Sequence, residues 1–351
     1  MKRMHGGDIY RNHVEIDFSV NLNPLGMPET VKAALYKAVG DCDRYPDREA
    51  ESLKRAVAQM LSAPEDYLLF GNGASELFLA IVHAVKPRKT VIPVPSFYGY
   101  EYAAKAVGGE IVYQEMKPEE GFAMADAGKM MLNEETDLLF LANPNNPTGK
   151  LLEKKALLNL LQHCKEKEIL VVLDECFIEF CGREFSLLSE IERFENLLLV
   201  GAFTKIFSIP GVRLGYLLCS DTALLTKIKR QLPEWNLSVL AQEAGCACAG
   251  ETDFLRRTIA CVRKERAFLE EGLNKLGFRV YPSAADFILF YSEEPLYEKL
   301  LKRGILIRDC ADFRGLGRGF YRIAVKSREE NERLLREMSF ATAWKGKDGK
   351  E

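Results

Sequence analysis

Lys205 stands just after an apolar run, in the string VGAFTKIFSIPGVRLGY. A lysine there is either a surface residue of a loop or an amine prepared for nucleophilic attack. Partial desolvation and a neighbouring cation lower a lysine's pKa and free the base form that Schiff-base chemistry uses. Arg213, eight residues on, could supply that cation or bind a phosphate. Asp174 closes the apolar run of VVLDECF. A carboxylate taken out of water is costly unless it is paired. It could cap a helix, or it could pair with a protonated heterocyclic nitrogen such as a pyridinium.

Other strings offer contacts for anions and planar rings. In LLFGNGASELFLA, Gly71 and Gly73 allow close backbone approach, and the amides of Ala74 and Ser75 open a helix. A helix N-terminus is a ready anion site, although Ser75 could equally be a plain cap. The string is not the GxGxxG dinucleotide fingerprint, which weakens a nicotinamide reading. NPNNPTG, carrying Asn143, Asn145 and Asn146, has turn composition, yet it is more specific than a turn requires. Phe97, Tyr98 and Tyr100 could stack on a ring or simply pack in the core. Arg308 and Arg322 lie in apolar strands and need anionic partners, either protein carboxylates or a substrate.

The elements that must position these residues are short apolar runs alternating with amphipathic stretches. Strands are expected at Tyr67–Phe70, Thr90–Val94, Asp137–Ala142, Leu170–Leu173, Leu197–Val200 and Tyr216–Cys219, with helices such as Ala74–Val85 and Glu153–Glu166 between them. This alternation predicts an α/β fold with a mostly parallel sheet covered on both faces. In such sheets, sites form outside the carboxyl ends of the strands. From about Asp221 the pattern changes to a long helix through Cys261–Leu276. Short strands follow at Phe278–Tyr281, Phe287–Tyr291, Ile305–Ile307 and Tyr321–Val325, as in a smaller α+β domain. The expected division is a large domain over 41–235, a small domain over 236–344 joined by an N-terminal arm over 1–40, and a disordered tail over 345–351.

Composition narrows the function classes. Apolar residues make up 47% and charged residues 28% of the 351, with net charge -3, an ordinary globular balance. No basic stripe interleaved with aromatics points to nucleic acid, and no apolar run approaches a bilayer span. The N-terminus lacks the apolar segment of a signal peptide. Nine scattered cysteines and four histidines offer no zinc-like spacing and suit a reducing cytoplasm.

Taken in order on successive strand ends, these strings resemble the fold-type I pyridoxal-phosphate enzymes of the class I/II aminotransferase family, from Asp17 to Asn331. The resemblance implies a seven-stranded large-domain sheet with pyridoxal 5′-phosphate bound to Lys205 as a Schiff base. It gives Asp174 the pyridinium nitrogen, Asn146 the ring hydroxyl, and Ala74, Ser75, Thr204 and Arg213 the phosphate. Phe97 would stack on the ring, with Tyr100 the second choice. Tyr45, in RYPD, would reach the phosphate of a neighbouring subunit, which implies a homodimer with shared sites. Arg322 would clamp the substrate carboxylate. Two positions depart from the pattern. Phe177 stands where the family usually has a tyrosine, and Ala202 where it often has Ser or Thr.

Within the family, HGG at His5, DFSVNLNPLG from Asp17, DECFIEF and IRDCADFRGLG resemble the threonine-phosphate decarboxylases more than the histidinol-phosphate aminotransferases. Both act on phosphorylated substrates, so Arg308, Asn23 and His5 are expected to line a phosphate subsite. Decarboxylation is the leading expectation, and amino transfer is the alternative. A non-catalytic regulator would need a winged-helix extension ahead of the fold.

Overall fold

A computed structural model describes residues 6–342. His5 and the tail over 345–351 lie outside the described residues. The first strand, β1 (Ile16–Asp17), is followed by seven that build the main sheet. These are β2 (Leu68–Gly71), β3 (Lys89–Val94), β4 (Glu110–Glu115), β5 (Leu138–Ala142), β6 (Leu170–Asp174), β7 (Leu197–Ala202) and β8 (Gly215–Leu218). Their order is β2-β8-β7-β6-β5-β3-β4. β8 alone runs antiparallel to its neighbours. That reversal brings the start of β8, just after Arg213, to the edge where the other strands end.

Both faces of the sheet are dry. Along β5, Leu139 and Leu141 join one core while Leu138, Phe140 and Ala142 join the other, as the two-residue period of a strand requires. The helices Lys154–Glu166, Glu51–Leu61 and Val239–Ala249 cover the first face. Ala74–Val85, Tyr98–Ala106 and Thr222–Lys229 cover the second. Double burial explains why these strands read as unbroken apolar runs. β4 has no such run. It is the sheet's edge, reads EIVYQE and is half exposed, so apolar continuity did not reveal it.

The second layer holds β9 (Arg279–Tyr281), β10 (Phe287–Tyr291), β11 (Ile305–Leu306), β12 (Arg308–Asp309) and β13 (Phe320–Ala324). Four of them form an antiparallel sheet in the order β12-β13-β10-β9, and β1 pairs with β11 in parallel. The register sets Arg308 directly opposite Arg322. The preceding helix is longer than expected, running Thr252–Lys275. The chain after β1 is stitched to this layer, since Phe18 N–H donates to Leu306 O (2.7 Å) and Phe18 O accepts from Ala324 N–H (2.8 Å). It then crosses to the main sheet, where Asn23 N–H donates to Lys205 O at 3.2 Å. Val31, farther along, packs in the core of the main sheet.

One close approach fixes how β8 meets the turn after β2. A Cβ on Gly215 would stand 2.7 Å from Ala74 N and 2.8 Å from Gly73 C. Those are backbone atoms that cannot swing away. Gly215→Ala is expected to destabilise the fold by about 1–3 kcal/mol, read as a lower urea midpoint at unchanged slope.

Candidate active site

The carboxyl ends of β2, β3, β5, β6 and β7 surround a cavity of about 730 Å³, roofed by the β12–β13 loop of the second layer. Asp174 is the last residue of β6 and is buried. Its Oδ1 accepts from Cys176 N–H at 2.9 Å and its Oδ2 from Tyr100 O–H at 2.6 Å. Burial raises its pKa, and those hydrogen bonds oppose the rise. Tyr100 itself is held rigidly. It stacks on Phe140 at 5.2 Å and meets Phe78 edge-on.

Lys205 sits in the one-turn helix Phe203–Ile206 that follows β7. Burial foremost, then the Arg322 guanidinium, hold its pKa below the usual lysine value, with Arg213 adding to the effect. Asn143 and Asn145 are spent on the loop itself: Asn143 Oδ1 accepts from Leu152 N–H, and Asn145 donates to Pro95 O and Thr148 Oγ1. Asn146 is the asparagine left facing the cavity, where its Oδ1 accepts from Arg322 Nη1. Arg322 also donates from Nη2 to Ser19 O at 2.9 Å and lies over the Phe287 ring. Burial, with Arg308 adding, brings its pKa down to about 10. Its Nε has no hydrogen-bond partner among the described residues.

The far end of the cavity begins at Gly73, whose φ is +77° and whose Cβ position would be 2.5 Å from Arg213 Nη2. Only a glycine lets that guanidinium lie over the helix start. Ala74, Ser75 and the buried Thr204 line the same end. Phe97 also lines the cavity, while Tyr100 turns its hydroxyl to Asp174.

A model of the family "Aminotransferase class I and II" matches residues 14–338. The chain belongs to the class I and II aminotransferase family. It is similar to the threonine-phosphate decarboxylase of Salmonella typhimurium, at 36% identity over 91% of this chain and 89% of that protein. Its fold matches the histidinol-phosphate aminotransferase of Clostridium acetobutylicum with a TM-score of 0.87 and 33% identity, over 93% of this chain and 98% of the other. It also matches the L-threonine-O-3-phosphate decarboxylase of Porphyromonas gingivalis, with a TM-score of 0.84 and 25% identity over 93% and 98%.

Enzymes of this family use pyridoxal 5′-phosphate, and the site fits that group. Asp174 is a buried carboxylate at the cavity wall, and no lysine or arginine forms an ion pair with it among the described residues. A pyridinium N–H would supply a matching cation. At the other end, the amides after Gly73 and the Arg213 guanidinium come together at a helix start, the chemistry that an anionic phosphate calls for.

Asn23 stands elsewhere than expected, while Arg308 and Tyr45 show further contacts. Asn23 does not line the cavity. Its Nδ2 donates to Ile206 O and Thr258 Oγ1, both at 2.7 Å, and its Oδ1 accepts from Leu25 N–H. The amide is thus consumed in bracing the turn that carries Lys205, which removes it from a phosphate subsite. Arg308 does line the cavity, but it is paired with Asp312 at 2.6 Å. Tyr45 is 80% exposed, rests on Trp235 and lies outside its own chain's cavity. Ser75 is exposed and makes no cap hydrogen bond.

Sequence reasoning missed Asp286, which lies just before β10 and is fully buried with no hydrogen bond to either oxygen among the described residues. Burial raises its pKa to about 7. Lys205 is foremost among the cations that pull it back, ahead of Arg322 and Arg266. Its only sequence signal was an acid interrupting the apolar approach to a strand.

Because the folded pKa of Asp286 lies above its ordinary 3.8, protonation favours the folded state. The stability it contributes is full below about pH 4 and is lost as pH rises through about 7. Apoprotein carrying Asp286→Asn is expected to show a shallower fall in Tm between pH 4 and 8 than wild type. It should be the more stable of the two at pH 8, as thermal melts across that range will show.

Proposed function

We propose that this enzyme binds pyridoxal 5′-phosphate through Lys205 and decarboxylates L-threonine O-3-phosphate to (R)-1-amino-2-propanol phosphate and CO2. The observation that carries the reading is the cross-strand pair Arg308–Arg322, two guanidiniums on the wall of one cavity. A substrate with two anionic groups, a carboxylate and a phosphate, matches two such cations, and the resemblance to the Salmonella typhimurium protein agrees.

Each residue has a definite task in this reading. When bound, the cofactor supplies an electron-withdrawing ring that accepts the electron pair left at Cα. Asp174 keeps the ring nitrogen protonated, with Tyr100 and the Cys176 amide holding its carboxylate in place. Ala74, Ser75, Thr204 and Arg213 grip the phosphate, Phe97 lies against the ring, and Asn146 serves the ring hydroxyl. Arg322, oriented by Ser19 O and Asn146, binds the substrate carboxylate. Arg308 faces the substrate phosphate. Once the Cα–carboxylate bond breaks and CO2 leaves, Lys205 in its ammonium form would deliver the proton that takes the carboxylate's place on Cα. Its lowered pKa makes that ammonium a readier donor than an ordinary lysine.

Amino transfer on histidinol phosphate is the second reading, favoured by the match to the Clostridium acetobutylicum enzyme. There Lys205 would remove the Cα proton instead. The choice rests on which bond stands perpendicular to the ring: with threonine phosphate Arg322 would set that by where it pulls the carboxylate, whereas histidinol phosphate has no carboxylate and offers its Cα hydrogen.

The same proposal divides the chain into a large domain over 41–235 and a small domain over 236–344 with the arm over 1–40. It places the enzyme in the cytoplasm, as its free cysteines suit. It also makes the enzyme a homodimer in which the exposed Tyr45 reaches the partner's cofactor phosphate. Sedimentation as a monomer at all concentrations would remove the shared-site part.

Incubation with L-threonine phosphate is expected to release CO2 and the amino-alcohol phosphate with no 2-oxo acid present. Turnover that requires a 2-oxo acid acceptor and yields no CO2 would reverse the assignment. Arg322→Lys is expected to lower kcat/KM by roughly 30- to 1000-fold through loss of the paired contact, with the far-UV circular dichroism unchanged.

A further inference from the structure

The loop between β12 and β13 forms one wall of the cavity through residues 311–316, and it is built as a compact unit. Arg308 holds Asp312 at 2.6 Å and lies 5.0 Å from the Phe313 ring centroid. Turns close at Phe313 N–H to Cys310 O and Leu316 N–H to Phe313 O, both 3.0 Å. The strands leaving this loop carry Arg308 on one side and Arg322 on the other. Whatever those arginines hold therefore extends toward it.

Three contacts tie the loop to the main sheet across the cavity. Phe313 and Leu316 pack on a cluster that joins Met116 and Phe122 to Tyr281, Leu289 and Cys310. Gly315, at φ +83°, brings its backbone to the end of β3, where a Cβ would stand 3.4 Å from Pro95 N. The third contact is electrostatic. Arg314 Nη2 donates to Glu101 Oε1 at 3.2 Å, and its guanidinium carbon lies 3.9 Å from the centroid of the Tyr113 ring.

Glu101 is no ordinary surface acid. Its side chain is 8% exposed and also accepts from Lys105 Nζ at 2.6 Å. Burial alone would raise its pKa, but the hydrogen bonds from Lys105 and Arg314 outweigh burial and hold the carboxyl at about 2. Ion pairs with both ends in water contribute little, whereas a buried carboxylate that loses a partner is left with an uncompensated desolvation cost. The Tyr113 face adds a cation–π contact from below. Arg314 is therefore fixed on two sides, by Glu101 of the helix Tyr98–Ala106 and Tyr113 of the edge strand β4, while its backbone belongs to the cavity wall.

We propose that the Arg314–Glu101–Tyr113 contact is a specificity determinant: it fixes the wall formed by residues 311–316 and so limits the length of substrate that the two strand arginines can hold. Arg314 acts here as a positioning residue. The inference rests on the reading that this cavity receives the substrate, and it holds for decarboxylation and amino transfer alike.

The test compares holoenzyme variants Arg314→Met and Glu101→Gln on L-threonine O-phosphate and the longer L-tyrosine O-phosphate. Either variant is expected to raise KM for the short substrate with kcat changed far less. The preference for short over long should fall by roughly tenfold or more. The double variant should do no more than either single one, since both break the same contact. A second readout is independent of turnover: trypsin should cut after Arg314 or Arg318 faster in Glu101→Gln than in wild type. An unchanged preference ratio overturns the proposal. Should wild type act on neither phosphate, the function proposed above fails, and the trypsin rates decide this one: faster cutting upholds the anchored wall, and equal cutting overturns it.

Discussion

A carboxylate held away from water at the end of a parallel strand is the constraint around which this enzyme is arranged. Asp174 lies at the floor of the cavity with neutral donors against its oxygens, the Tyr100 hydroxyl and the Cys176 amide and thiol. Those hydrogen bonds orient it without neutralising it. The remaining demand is for a cation delivered from the cavity side, and a protonated aromatic nitrogen meets that demand with a fixed direction. The same low-dielectric setting lowers the pKa of Lys205, so burial presses on an acid and a base in one cavity in opposite directions.

The fold serves this by collecting strand ends. Parallel strands deliver Asp174, Asn146, Lys205 and the Gly73 turn to one edge of the sheet. The reversed strand β8 adds the arginine that precedes it. The antiparallel layer contributes a different kind of group, two guanidiniums side by side across a ladder. Like charges opposed in this way repel, and burial lowers the pKa of Arg322 further. An anion placed between the two would relieve that repulsion, beside the pairing that Asp312 already gives Arg308.

Much of this was legible in the residues. Lys205, Asp174, Asn146 and Arg213 each follow or precede an apolar run, and local pattern suffices to put them at strand ends. The helix Ala74–Val85 matches its expected bounds. What the chain did not disclose depends on partners far away in sequence. Tyr100 read as a possible stacking ring because its bond to Asp174 spans 74 residues. Asn23 read as a ligand because its amide is satisfied by residues 183 and 235 positions away. The edge strand β4 lacked the apolar continuity that flags its buried neighbours. Asp286 is a lone acid in an apolar string, and nothing local says that it is buried beside a lysine.

The segment between β1 and Asn23 has a consequence for how the enzyme comes into being. Ser19 receives Arg322 from 303 residues downstream, and Phe18 is clasped by residues of β11 and β13. A nascent chain emerging from the ribosome cannot make those contacts until residue 322 has been synthesised, 303 positions after Ser19. The main sheet can collapse earlier on its own apolar strands, whereas the layer that carries Arg308 and Arg322 must wait for residues about 300 positions apart to meet. Contacts of such sequence separation close slowly. The second layer is therefore completed after the sheet that carries Asp174 and Lys205.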